Sequence, residues 1–158
     1  MRKTIYIALI LGILINCSEN KDISEIKNYV IEIDNRTDLN ESITEFNTEN
    51  QNGEIIGGSS IYELTDKDNE LYRIIKESSQ PNDSVFNYEF YYKDKKLIFA
   101  KVIKFSNNLS EFDTIVNSEL YYKNEKLIEQ LNKKTTGIDS EYVKLLAESF
   151  TVEGLGTE

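Results

Sequence analysis

Residues 87–98 and 117–128 are near-copies of one another at an offset of 30. Asn87, Glu89, Tyr91, Tyr92, Lys93, Lys96, Leu97 and Ile98 recur as Asn117, Glu119, Tyr121, Tyr122, Lys123, Lys126, Leu127 and Ile128, eight identities in twelve positions. Each copy runs from a tyrosine-rich stretch through a short polar centre into a second apolar stretch. Asp94 and Asn124 in those centres tolerate positive φ and bond their own backbone, as tight turns require. The flanking tyrosines and leucines are suited to pairing across strands. Both units are therefore expected to be β-hairpins, and hairpins linked by short polar loops build an antiparallel sheet. Ile61 to Tyr72 reads as a third, decayed copy that keeps Tyr62, Asp66 and Leu71.

The rest of the chain fills in around these units. Asp22 to about Asn35 has helical periodicity, with Ile23, Ile26, Val30 and Ile33 on one face and Tyr29 beside them. Asp22 and Glu25 form a capping-box pattern at its start. Asp38–Glu49 has only Ile43 and Phe46 as apolar anchors, and a short strand or an irregular crossing would both fit. Glu54–Leu64 is extended, with Gly57-Gly58 marking a bulge or a close backbone approach. In Lys96–Phe105, strict alternation puts Leu97, Phe99, Ile103 and Phe105 on one face and Ile98, Ala100 and Val102 on the other. Such a strand is expected to be central and covered on both sides. Ser140–Phe150 reads as a second helix, capped by Asp139, with Tyr142, Leu145, Leu146 and Phe150 on its apolar stripe. The expected fold is α+β: an N-terminal helix, an antiparallel meander of about six strands in three hairpins, and a C-terminal helix packed on the sheet.

The unit Tyr-Tyr-Lys-(Asp/Asn)-x-Lys-Leu-Ile resembles the hairpin of MORN-type repeats, with Lys95 and Glu125 standing where that family has its turn glycine. The order of a signal, a helix, hairpins carrying a tyrosine-turn-Lys-Leu unit and a closing helix resembles a group of Bacteroidota lipoproteins. Gly53-Glu54 ahead of the first hairpin fits that group too. Neither resemblance implies an activity.

The opening residues say where the protein goes. Arg2 and Lys3 precede an apolar run from Ile5 to Ile15. That run is shorter than the roughly 20 residues a membrane-spanning helix needs, and its anatomy is that of an export signal. Leu14-Ile15-Asn16-Cys17 resembles the processing site of bacterial lipoproteins, except that Asn16 replaces the small residue usual before the cysteine. The resemblance implies cleavage after residue 16 and lipid on Cys17, the only cysteine. The expected organisation is a signal over 1–16, a tether over 17–22, a single domain over 23–150 and a flexible tail over 151–158. The expected location is the cell envelope, anchored most simply at the outer membrane and facing either the periplasm or the outside.

Composition narrows the chemistry. Removal of residues 1–16, with two basic and no acidic residues, moves the net charge from −10 to −12. That charge disfavours nucleic acid, whose phosphates need Lys and Arg. The chain has no histidine, the commonest general base and metal ligand, and acylation of Cys17 would remove its thiol. No phosphate loop or nucleophile elbow is present. Asp66-Lys67-Asp68-Asn69-Glu70, with Glu77 twelfth, mimics a calcium loop but has Leu71 where the sixth-place glycine belongs. No metal or cofactor is expected, and the chain is read as non-enzymatic. Asp83-Ser84-Val85 and Asp113-Thr114-Ile115 resemble O-glycosylation acceptors of Bacteroidota.

Tyr91 and Tyr92 must point to opposite faces of the sheet, as must Tyr121 and Tyr122. These four are the candidate binding surface, if one member of each pair is exposed; plain cross-strand packing is the alternative. The functional expectation is a lipid-anchored module that binds an envelope or surface protein. A small-ligand or glycan-binding lipoprotein and an immunity or antitoxin-like lipoprotein are the alternatives. A Cys17→Ser variant is expected to lose incorporation of labelled fatty acid and to move from the membrane to the soluble fraction. Retention in the membrane would contradict the anchor.

Overall fold

Hairpins that follow one another with short connections can only stack side by side, and the structure is that stack. The computed structural model describes residues 21–79, 85–105, 114–134 and 138–152. Helix α1 covers residues 21–35. Seven strands follow: β1 (Asn40–Glu49), β2 (Ile55–Thr65), β3 (Leu71–Ser79), β4 (Phe86–Lys93), β5 (Lys96–Phe105), β6 (Thr114–Lys123) and β7 (Lys126–Lys134). Helix α2 (Ser140–Val152) closes the chain. The sheet order is β1 through β7, antiparallel at every step.

The expected count of six strands is corrected to seven. The ambiguous stretch is β1, paired with β2 from Asn40↔Thr65 to Glu49↔Ile55. Its apolar signal is weak because it is an edge strand, and Ile43 and Phe46 are both exposed. Gly58 permits this pairing: a Cβ there would lie 2.8 Å from the Phe46 carbonyl oxygen. Helix α2 also runs two residues past its expected end. No helix among the described residues is long and apolar enough to cross a membrane.

The three hairpins share one irregularity. Tyr91 pairs Phe99 but Tyr92 pairs Leu97, so Ile98 is an extra residue in β5. The same slip leaves Ile128 extra in β7 and Tyr72 extra in β3. The decayed unit thus keeps the bulge, with Leu71 in the place of Leu97 and Leu127. A bulge puts two successive side chains on one face. Ile98 and Phe99 both join the α1 side, while Leu97, Ala100 and Val102 join the α2 side. That corrects the strict alternation expected of Lys96–Phe105.

The sheet therefore has two cores. On one face Ile26 and Ile33 of α1 pack with Tyr91, Phe99 and Tyr121. On the other, Val143 and Ala147 of α2 pack with Phe90, Tyr92, Ala100, Val102, Leu120 and Tyr122. The apolar stripe of α2 is Val143, Leu146, Ala147 and Phe150, whereas Tyr142 and Leu145 point outward and are 56% and 64% exposed. Small Ala147 rather than bulky Leu145 faces the sheet because Tyr92 and Phe90 already fill the space. Asp139 caps α2 as expected, accepting from the N–H groups of Glu141 and Tyr142. Asp22 is already helical, and its carboxylate takes Lys123 Nζ at 2.7 Å instead of capping α1.

Both central residues of the last two turns have positive φ: Asp94 (51°) and Lys95 (62°), Asn124 (50°) and Glu125 (64°). Two-residue hairpins of this kind match the twist of the strands, yet a Cβ in that conformation costs about 1 kcal/mol. Lys95→Gly should therefore raise the unfolding free energy by about 1 kcal/mol, read as a higher urea midpoint at unchanged slope. A lower midpoint would contradict the strain.

Candidate functional site

The tyrosine pairs were the sequence's first choice for a binding surface, and the fold buries all four. Tyr91, Tyr92, Tyr121 and Tyr122 are at most 2% exposed. Each pair straddles the sheet as the pleat demands, but both faces at that level lie beneath helices. Their hydroxyls are used internally. Tyr92 Oη donates to the Ala147 carbonyl at 2.8 Å and Tyr122 Oη to the Ser140 carbonyl at 3.2 Å, both on α2. Tyr91 Oη donates to Asp34 of α1 at 2.9 Å, and Tyr121 Oη to Glu119 at 2.9 Å. The binding-surface reading of these four residues is thereby corrected to a structural one.

What remains accessible is the part of the α1 face that α1 leaves bare. The helix crosses the strands near the hairpin turns. Asp22 meets Lys123 at the β6–β7 turn, while Asp34 accepts from Arg73 on β3 at 2.9 Å. Beyond it the register lines up Ile43, Tyr62, Ile75, Glu89, Lys101, Glu119 and Leu131 across all seven strands, a row about 30 Å long. Lys101 Nζ donates to Glu89 at 3.1 Å, and Lys133 Nζ to Glu119. Glu89, Lys101, Glu119 and Lys133 thus form a ladder of alternating charge. Burial alone would raise the Glu119 carboxyl, but Lys133 and the Tyr121 hydroxyl hold it below the usual range.

This ladder floors a groove of about 350 Å³ whose other wall is α1, with Lys27, Ile31 and Asp34. Ile31 is 58% exposed on its rim. The next row of the sheet holds Asn87 and Asn117 on either side of Ile103. Their Oδ1 atoms are buried and accept no hydrogen bond among the described residues. The groove therefore offers paired charges and apolar edges. That set suits recognition of a polypeptide. Glu89 and Glu119 were visible in the sequence as part of the repeat, but their pairing with Lys101 and Lys133 depends on the strand register.

The other candidates resolve simply. Cys17 and the signal lie outside the described residues, as do Ser84 and Asp113; Thr114 opens β6. The calcium-like stretch is a turn, with Asp66 Oδ1 accepting from the N–H groups of Asp68 and Glu70. Among the described residues no three Asp, Glu, His or Cys side chains gather as a metal site. No family model, curated protein or solved structure matches the chain.

Burial pushes the Tyr88 phenol up to about 12. It lifts Tyr91, Tyr92, Tyr121 and Tyr122 further, with Asp34 and Glu119 adding to it at Tyr91 and Tyr121. An unfolded tyrosine ionises near pH 10. The protonated phenol is thus favoured by folding, so this stability is whole below about pH 10 and falls as pH rises towards the folded values. In an alkaline titration the buried phenols should ionise together with the loss of circular dichroism. Full ionisation near pH 10 with the fold intact would contradict their burial.

Proposed function

We propose that this chain is a non-enzymatic, lipid-anchored protein of the cell envelope, held at the outer membrane through Cys17, whose groove beside α1 receives a segment of another protein. The signal-like residues 1–17 support the location. The observation that carries the binding role is the ladder of half-buried Glu89, Lys101 and Glu119 with exposed Lys133, on the floor of an open groove. Charges in such a place lend specificity more than affinity. Exposed Ile31, with Ile43 and Leu131 at the ends of the row, supplies apolar contact. The opposite face, closed by α2, offers no comparable floor among the described residues.

Ile31→Asp tests this directly, because an exposed position of this kind changes stability by no more than about 0.5 kcal/mol. Cross-linking in intact cells should join the native chain to one reproducible partner. That product should be lost in Ile31→Asp and kept in Leu145→Asp on the outer side of α2. No reproducible product, or equal loss in both variants, would overturn the reading.

A further inference from the structure

We propose that the two lysine-rich hairpin tips beside the start of α1 are the face this domain lays against an anionic phospholipid bilayer; the proposal rests on the reading of Cys17 as the lipid-bearing residue. The β4–β5 and β6–β7 tips carry Lys93, Lys95, Lys96, Lys123 and Lys126 against Asp94 and Glu125, a net +3. The whole chain carries −10, so the remainder carries −13. The two tips are thus a locally basic corner of an acidic chain. All of these residues are exposed.

The corner is also where the anchor arrives. The ion pair of Lys123 with Asp22 fixes the first described turn of α1 beside the β6–β7 tip. Cys17 precedes Lys21 by four residues, a span of at most about 14 Å, whereas the far end of the strands is about 30 Å away. The third turn at this end is acidic, with Asp66, Asp68 and Glu70, so attraction tilts the domain towards its β6–β7 side. Among the described residues the Lys95 and Lys126 side chains make no ion pair, whereas Lys96 pairs with Glu125 at 4.0 Å. Lys95 moreover keeps a charged side chain at φ 62°, where glycine would be unstrained.

Between the tips and α1 lies a cleft of about 340 Å³. Lys93, Lys96 and Lys123 stand on its rim, and Ile26, Leu97 and Ile98 form its floor. Asp22, Glu25 and Asp94 also line the cleft and balance its three lysines, so the two outer lysines, Lys95 and Lys126, supply the uncompensated charge. Lysines near a membrane surface are drawn to anionic headgroups within a Debye length. With acyl chains already holding the protein down, they act as a second signal that sets its orientation.

The test uses the full chain, purified with its lipid and reconstituted in vesicles of phosphatidylcholine, alone or with about 30 mol % phosphatidylglycerol. An amine-modifying reagent and mass spectrometry read each lysine. Lys95 and Lys126 should react at least about threefold more slowly in the anionic vesicles. Lys104, at the far end of β5, should be unchanged, and about 0.5 M salt should abolish the difference. The double variant Lys95→Glu/Lys126→Glu should abolish it too, with circular dichroism unaltered. Equal rates in both vesicles, or protection of Lys104 instead of the tips, would overturn the proposal. The intact mass reports acylation separately, and an unacylated chain overturns the anchor reading alone. In that event flotation decides: binding to anionic vesicles that the double variant loses supports the corner, and no flotation of the native chain overturns it.

Discussion

Everything in this fold hangs on two adjacent tyrosines placed just before a tight turn, used twice. Because successive side chains on a strand point opposite ways, a Tyr-Tyr pair puts one phenol under each helix. Tyr92 and Tyr122 reach carbonyls of α2, Tyr91 reaches Asp34 of α1, and the Tyr92 carbonyl accepts from Tyr29 of α1 at 2.8 Å. Each hydrogen bond contributes only about 1 kcal/mol, while removing a buried aromatic ring costs about 3–5 kcal/mol. The rings therefore hold the layers together and the hydroxyls set where the helices sit. The bulge beside each pair lets Ile98 and Ile128 turn to the α1 side, which widens the surface that α1 covers.

The same constraint decides which side chains stay accessible. With Tyr91, Tyr92, Tyr121 and Tyr122 committed to two cores, the α1 face stays accessible only where α1 does not cover it. There the repeat supplies Glu89 and Glu119, neighbours of the tyrosines on the same strands, and the intervening strands supply Lys101 and Lys133. The tips of the same hairpins gather lysines at the end of the molecule where α1 begins. One duplicated unit thus furnishes much of the core, the two glutamates of the ladder and the basic corner.

Much of this architecture was legible in the sequence. Both helices, the hairpins, their tight turns and the opposed directions of Tyr91 and Tyr92 follow from periodicity and turn chemistry. What was not legible has physical causes. The strand Asn40–Glu49 is held by backbone pairing at an edge, so its side chains show little of it. The bulge at Ile98 exchanges the faces of Leu97 and Ile98, and no period-two reading of one strand can foresee that. On α2 the stripe through Val143 and Ala147 displaced the bulkier Tyr142 and Leu145, because the facing tyrosine and phenylalanine rings fix how close the helix must come. The groove is a matter of where α1 crosses the sheet, which depends on contacts distant in sequence, such as Asp34 with Arg73.

Tyrosine accessibility is the sharpest probe of the paired phenols buried beneath the two helices. Nitration of the folded chain, mapped by mass spectrometry over a time course, separates displayed phenols from buried ones. Tyr142, 56% exposed on α2, should react first. Tyr91, Tyr92, Tyr121 and Tyr122 should remain unmodified until the chain is unfolded. Modification of any of these four in the folded protein, at a rate near that of Tyr142, would contradict the account and restore the tyrosines as a candidate surface.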